Sequence, residues 1–149
     1  MRARLPILAV LVMLLASVLA EPTVAQRSSA SSEQTVMVRN SAFGRVLFDG
    51  ANHALYAFAR DPRGRSVCYG SCAAAWPPYI VTGALRPGPG GKRALLGTTR
   101  RRDGKRQLTY AGRPLYFYVG DPVGQIRCQN VREFGGLWLV VRPTGALVR

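Results

Sequence analysis

A stretch of fourteen residues occurs twice in this chain, sixty positions apart and with no gap between the copies. Leu55–Cys68 reads LYAFARDPRGRSVC, and Leu115–Cys128 reads LYFYVGDPVGQIRC. Each copy is followed by an apolar stretch that contains a tryptophan, Trp76 in the first and Trp138 in the second. Such internal repetition predicts two similar units within one chain. We therefore expect them to be related by pseudo-two-fold symmetry, with both tryptophans in the core.

Both copies begin with an aromatic-rich segment that is typical of a β-strand. Because side chains alternate along a strand, Tyr56 and Phe58 are predicted to share one face. Tyr116 and Tyr118 share the equivalent face in the second copy. The second strand is expected to be buried on both sides, because its other face carries Leu115, Phe117 and Val119.

Each predicted strand ends at the sequence Asp-Pro-x-Gly, which begins at Asp61 in the first copy and at Asp121 in the second. Asp at the first position, Pro at the second and Gly at the fourth favour a type I turn. The alternative function for the two aspartates is a pair of catalytic carboxylates. Since the turn already accounts for both residues, the sequence predicts no catalytic residue.

Further motifs surround the two copies in a fixed order. The two copies fit a Tyr-x-(Phe/Trp/Tyr)-x-x-Asp pattern. With this pattern and the order of the surrounding motifs, the chain resembles the secreted-repeat family of predicted bacterial lipoproteins that is named for the pattern. The resemblance covers roughly residues 35–141. The resemblance implies an extracytoplasmic bacterial protein, often tethered by lipid, and it transfers no catalytic residues. The chain differs in lacking a cysteine for lipidation and in carrying Cys128. The surrounding motifs are Cys68–Cys72, Trp76–Pro78, Asp103–Gly104, Leu108–Tyr110 and Phe134–Trp138.

The N-terminus has the pattern of an export signal. Residues 1–20 combine a basic start with an apolar stretch, and cleavage is expected after Ala20 or Ala25. An uncleaved anchor is the alternative, although the apolar stretch is short for a membrane span. A polar lead-in follows at 21–34, and 35–149 is predicted to form a single β domain with repeats at about 45–82 and 95–142. The predicted location is secreted or periplasmic, without a lipid anchor.

Asp103-Gly104 lies between two predicted strands and is typical of a two-residue type I′ hairpin. That loop length would place Arg102 opposite Lys105, and it would pair Thr99 with Leu108 deeper in the hairpin. Like charges opposite each other are destabilising in a sheet, so the hairpin is expected to project as a basic tip from a β body.

The chain carries 21 Lys and Arg against 7 Asp and Glu, a formal net charge of +14. One interpretation of the tip is a solvated loop in an arginine-rich chain. The other is a site for an anionic membrane surface or cell-wall polymer. Nucleic acid is not expected as a partner because the chain is exported, and the sequence does not identify a protein partner. The candidate anion-binding residues are Arg100, Arg101, Arg102, Lys105 and Arg106.

Three cysteines in an exported chain leave one unpaired or intermolecular. Cys68 and Cys72 are four residues apart, so a helical turn would bring them within reach of a disulfide. The alternative is a bond from Cys128 to one of the other two. The competing interpretation is a redox dithiol at CxxxC, or a copper or haem site with ligands such as His53, Cys68, Cys72 and Met37. The sequence predicts neither a metal site nor a cofactor.

The remaining pattern predicts an all-β fold, a small sandwich or barrel with one short helical turn at Cys72–Trp76. We expect a secreted cell-envelope protein with a non-enzymatic structural or binding role. The alternative function is an exported redox or metal-binding protein that uses the cysteines. The predicted strands are Thr35–Arg39, Arg45–Phe48, Ala54–Arg60, Leu95–Arg102, Lys105–Tyr110, Leu115–Val119 and Leu137–Arg142.

Overall fold

The computed structural model describes residues 34–149. The predicted signal peptide at 1–20 lies outside the described residues, as does the predicted lead-in up to residue 33. Gln34, predicted to end the lead-in, is the first residue of the first strand.

The described residues form three small sheets of three strands each, with one short helix and one 3₁₀ turn. The all-β prediction is confirmed. The sheets do not close into a barrel within residues 34–149, and pseudo-two-fold symmetry of the whole domain stays a prediction. The elements are β1 (Gln34–Ser41), β2 (Gly44–Asp49), β3 (Tyr56–Phe58), α1 (Ser71–Ala75), β4 (Leu85–Pro87), the 3₁₀ turn (Arg93–Leu95), β5 (Leu96–Arg100), β6 (Arg106–Tyr110), β7 (Arg113–Pro114), β8 (Val131–Glu133) and β9 (Gly136–Val140).

Each sheet has one central strand. The first has the order β2-β1-β4, in which β1 and β4 run parallel; the others have the orders β3-β9-β8 and β5-β6-β7 and are antiparallel. Strand β3 belongs to the first copy of the motif, whereas β9 follows the second. Their register places Tyr56 opposite Val140 and Phe58 opposite Trp138. The middle sheet therefore joins the two copies.

The core consists of two clusters, and successive side chains of the first motif point alternately into one and the other, as the strand pattern predicts. Tyr56 and Phe58 lie in the cluster that contains both tryptophans, whereas Leu55 and Ala57 lie in the other. The Trp76 and Trp138 rings stack with centroids 4.1 Å apart, and both side chains are fully buried. Short strands can form a stable domain here because these large rings bury much apolar surface between the sheets.

The predicted strand Leu115–Val119 is wrong. Only Tyr116 forms β-bridges, one to Tyr56 and one to Pro78. The Phe117 amide donates to the Pro77 carbonyl, but Pro77 has no N–H to return the bond, so a continuous ladder cannot form there. Val119 is 63% exposed, which also corrects the expectation that this segment is buried on both sides.

The basic hairpin has a different turn from the one predicted. Arg100 pairs with Arg106, and the Gly104 amide donates to the Arg101 carbonyl at 3.0 Å. Gly104 has φ of 81°, but Asp103 does not have the positive φ that a type I′ turn requires. The loop is the three-residue kind, in which a glycine in the left-handed region follows a tight turn.

This turn shifts the strand register by one residue. Thr99 pairs with Gln107 rather than with Leu108, so the predicted pairing of Arg102 with Lys105 does not form. A shift of one residue exchanges the two faces of a strand. The turn therefore decides which arginine points inward.

Candidate functional site

The two copies of the motif exchange hydrogen bonds between tyrosine and aspartate. Tyr56 Oη donates to Asp121 Oδ2 at 2.5 Å, and Tyr116 Oη donates to Asp61 Oδ2 at 2.5 Å. The backbones of Tyr56 and Tyr116 also pair directly, each amide donating to the other's carbonyl at 2.9 Å. The equal spacing of tyrosine and aspartate in the two copies thus places each aspartate beside the tyrosine of the other copy.

The second oxygen of each aspartate accepts a backbone amide. Val67 N–H donates to Asp61 Oδ1 at 2.8 Å, and Arg127 N–H donates to Asp121 Oδ1 at 2.9 Å. The turn itself begins one residue later than predicted, because the Arg65 amide donates to the Pro62 carbonyl. Each aspartate therefore holds the chain that returns from the turn instead of occupying its first position.

Burial controls ionisation at these contacts. It raises the pKa of Asp61, while the bond from Tyr116 is the largest effect that lowers it. Burial is also the main cause that raises the pKa values of Tyr56 and Tyr116 far above the ordinary value of 10.0. Both hydroxyls are therefore protonated near neutral pH and act as hydrogen-bond donors.

Arg101 is buried, which corrects its assignment to an anion-binding tip. Its side chain is held by three hydrogen bonds, from Nη1 to Ser66 Oγ (2.8 Å) and Gln107 Oε1 (2.7 Å) and from Nη2 to the Cys68 carbonyl (2.8 Å). Only 4% of the residue is exposed. The guanidinium joins the hairpin to the disulfide loop and is not available to an external anion.

The other arginines of the hairpin border an open cavity of about 540 Å³. Arg100 and Arg102 are exposed there, together with Arg65 from the first turn. The Arg102 guanidinium lies 4.0 Å from the centroid of the Tyr69 ring, and the Arg102 amide donates to the Tyr69 hydroxyl at 3.1 Å. We call this cavity the basic cleft; it is lined by Arg65, Ser66, Val67, Tyr69, Arg100, Arg101 and Arg102.

The cleft contains only part of the predicted anion site. Lys105 and Arg106 are exposed but do not line it, and Arg106 Nη2 lies 3.4 Å from Thr98 Oγ1. Arg65 was missed by sequence reasoning because it lies 35 positions before Arg100. The comparison of the two copies offers a signal, since Arg65 stands where the second copy has Gln125.

The predicted disulfide between Cys68 and Cys72 is confirmed, with Cα atoms 5.3 Å apart. The alternative pairing with Cys128 is wrong, because Cys128 is free and partly buried. Burial raises the pKa of the Cys128 thiol, and a hydrogen bond with Tyr118 lowers it. The disulfide is largely shielded from solvent, since Cys68 is fully buried and Cys72 is 7% exposed.

The residues considered for a metal site are not brought together. In residues 34–149 no group of three or more His, Cys, Asp or Glu side chains is placed to hold a metal ion. His53 Nδ1 lies 3.4 Å from Asp49 Oδ2, and Met37 packs against the tryptophan cluster. The Trp76 indole donates to Glu133 Oε2 at 2.8 Å.

A family described as a secreted repeat of unknown function matches the chain twice, at residues 37–79 and 97–142. The chain belongs to this family. Each match contains one tyrosine–aspartate motif, and the basic cleft takes Arg65 and Tyr69 from the first and its hairpin arginines from the second. Comparison with curated proteins and with solved structures gives no match. No helix between residues 34 and 149 is long and apolar enough to cross a membrane.

Proposed function

We propose that this protein is a non-enzymatic binding component of the bacterial cell envelope. Its basic cleft holds phosphate groups, supplied by anionic lipid headgroups or by an anionic cell-wall polymer. The observation that carries the proposal is the meeting of Arg65, Arg100 and Arg102 around one open cavity with no carboxylate in its lining.

The chemistry of the cleft supports phosphate as the bound group. A guanidinium presents several N–H donors in a plane and can bond two phosphate oxygens at once. The cleft is also supported from inside, because the buried Arg101 lies 4.4 Å from the centroid of Tyr69, the ring on which Arg102 packs. A site with such internal support loses less side-chain entropy when it binds.

The tyrosine–aspartate contacts support the non-enzymatic part of the proposal. The Tyr56 and Tyr116 side chains are fully buried, and each hydroxyl is already bonded to the aspartate of the other copy. A general acid or base must reach a substrate proton. Residues that use these atoms to join the two copies are better suited to support a binding surface.

The proposal is tested by co-sedimentation of the full chain with vesicles of neutral lipid, with and without anionic lipid. The Arg100→Glu/Arg102→Glu variant reverses two charges in the cleft. The Arg45→Glu/Arg132→Glu variant reverses two exposed charges elsewhere and gives the same net charge. We expect the cleft variant to bind anionic vesicles at least about tenfold more weakly and the control to differ little from wild type. Binding should weaken as salt rises.

Competition with soluble inorganic polyphosphate distinguishes the two sources of phosphate. If the cleft binds a polymer, polyphosphate should displace the protein from anionic vesicles. If the cleft binds lipid headgroups, the protein should bind phosphate only when the vesicle is present. If the two double variants lose affinity equally, net charge and not the cleft determines binding, and the proposal is wrong. Absence of binding to both probes would also contradict it.

A further inference from the structure

A second open cavity, of about 440 Å³, has the opposite character to the basic cleft. None of its lining residues is Arg or Lys, although the chain has 21 of them. Two of its lining residues are Asp49 and Asp121, whereas the described residues contain only five acidic side chains in all. In a chain of net charge +14, this cavity is therefore a place where a positive ligand meets local negative charge.

Aromatic rings form the wall beside these carboxylates, and both rings are held in place. Phe117 packs against Tyr79 with centroids 4.9 Å apart, and the His53 ring meets it edge-on at 6.0 Å. Tyr118 tilts over the Trp76 ring at 4.6 Å. The cavity thus has apolar aromatic surface whose position is fixed before any ligand arrives.

Asp49 is fixed mainly by backbone amides. Its Oδ1 accepts the amides of Ala51 (3.0 Å) and His53 (2.7 Å), and its Oδ2 lies 3.4 Å from His53 Nδ1. The amides orient the carboxylate, and they leave lone pairs free for a further donor.

Asp121 is fixed by the hydroxyl of Tyr56 and the amide of Arg127. The guanidinium of Arg127 donates instead to Gln125 Oε1 at 3.2 Å, and that of Arg39 donates to Asn52 Oδ1 at 2.7 Å. Both of these arginines donate to neutral amides, and neither lines the cavity.

We infer that this cavity binds a small organic cation with an aromatic or apolar body. The ammonium group is placed between Asp49 and Asp121, and the body packs on Phe117 and Tyr118, where the rings also attract the cation. Val119, at the rim, is 63% exposed and offers apolar surface to the same ligand. The site is separate from the basic cleft and does not depend on the function proposed for it.

The test uses benzylammonium as the probe and benzyl alcohol as its neutral counterpart, each titrated into the full chain and followed by NMR. We expect benzylammonium to bind with a Kd of about 1 mM or tighter and to perturb the signals of His53 and Val119. Benzyl alcohol should bind at least about tenfold more weakly, because it lacks the charge that the carboxylates stabilise.

Charge substitutions at exposed valines locate the site without disturbing the core. Val119→Lys adds a cation at the rim and should weaken benzylammonium binding by about fivefold or more, whereas Val119→Glu should strengthen it. Val123→Lys is the matched control, because Val123 is 60% exposed and does not line the cavity. It should leave the affinity within about twofold of wild type.

Three results would overturn the inference. They are no saturable binding of benzylammonium, equal affinity for benzyl alcohol, and an equal effect of lysine at Val119 and at Val123. Perturbation confined to Tyr69 and the hairpin arginines would place the probe at the basic cleft and would also reject this site.

Discussion

Tyr56 donates its hydroxyl hydrogen to Asp121, a residue 65 positions away, at 2.5 Å. Tyr116 makes the equivalent bond to Asp61, so each copy of the motif completes a contact that begins in the other. The tyrosine–aspartate spacing within one copy serves to fasten two copies together. Asp61 and Asp121, which could be taken for a catalytic pair, are therefore engaged in hydrogen bonds that join the two copies.

Loss of either hydroxyl should destabilise the domain. We expect Tyr56→Phe and Tyr116→Phe each to lower the free energy of unfolding by about 1.5–3 kcal/mol, because each removes a hydrogen bond to a carboxylate from a buried site. Urea denaturation measures the change. Tyr79→Phe is the matched control, since its hydroxyl lies 3.4 Å from the Thr35 carbonyl, and it should cost less than about 1 kcal/mol. Equal losses at all three positions would show that the aspartate contacts have no special part.

The ionisation of Asp61 should make stability depend on pH. Its folded-state pKa is raised above 3.8, chiefly by burial, so the folded chain holds this proton more tightly than the unfolded chain. The associated stability is fully present below 3.8 and is lost as pH rises through the folded pKa. Urea titrations across this window should show wild type losing unfolding free energy relative to Asp61→Asn. A difference that stays constant, or that grows in favour of wild type as pH rises, would contradict this.

Arg101 and Arg102 are adjacent but should respond very differently to substitution. Arg101→Lys keeps the charge but cannot reproduce all three hydrogen bonds, so we expect a loss of about 2–4 kcal/mol. Arg102→Lys affects an exposed side chain packed on Tyr69 and should cost less than about 1 kcal/mol. Thermal and urea unfolding provide the comparison. Similar losses for the two variants would mean that the buried network contributes little.

Thiol titration should distinguish the cysteines. The denatured, unreduced chain should show one reactive thiol, from Cys128, and reduction should release the other two. Reduction should lower the free energy of unfolding by about 2 kcal/mol, because the closed loop between Cys68 and Cys72 is short. Three thiols before reduction would show that the disulfide does not form in the exported protein.

Local patterns predicted much of this molecule. Residue alternation indicated the two faces of Tyr56–Phe58, and the spacing of Cys68 and Cys72 indicated their disulfide. The prediction failed where a neighbouring segment decided the outcome. Residues 115–119 have strand-like composition, but the facing Pro77 has no N–H to donate, so the ladder is interrupted.

In the basic cleft, too, the local sequence predicted the composition, and contacts with other segments set the positions of the side chains. The basic composition of the hairpin is visible in the sequence, but one residue of register determined that Arg101 points into the core and that Arg102 stays outside. Arg65 enters the cleft from a turn 35 residues earlier. No pattern within the hairpin contains that information, because it depends on where two distant turns meet.

By itself, the sequence determined the family, the β character of the chain and the short disulfide loop, since each depends on residues close together or on repeated spacing. Only the tertiary structure decided that the tyrosines and aspartates exchange partners, that one arginine is buried, and that the acidic and basic cavities are separate. Those outcomes arise from contacts between segments tens of residues apart, whose relative positions are set by the packing of the whole core.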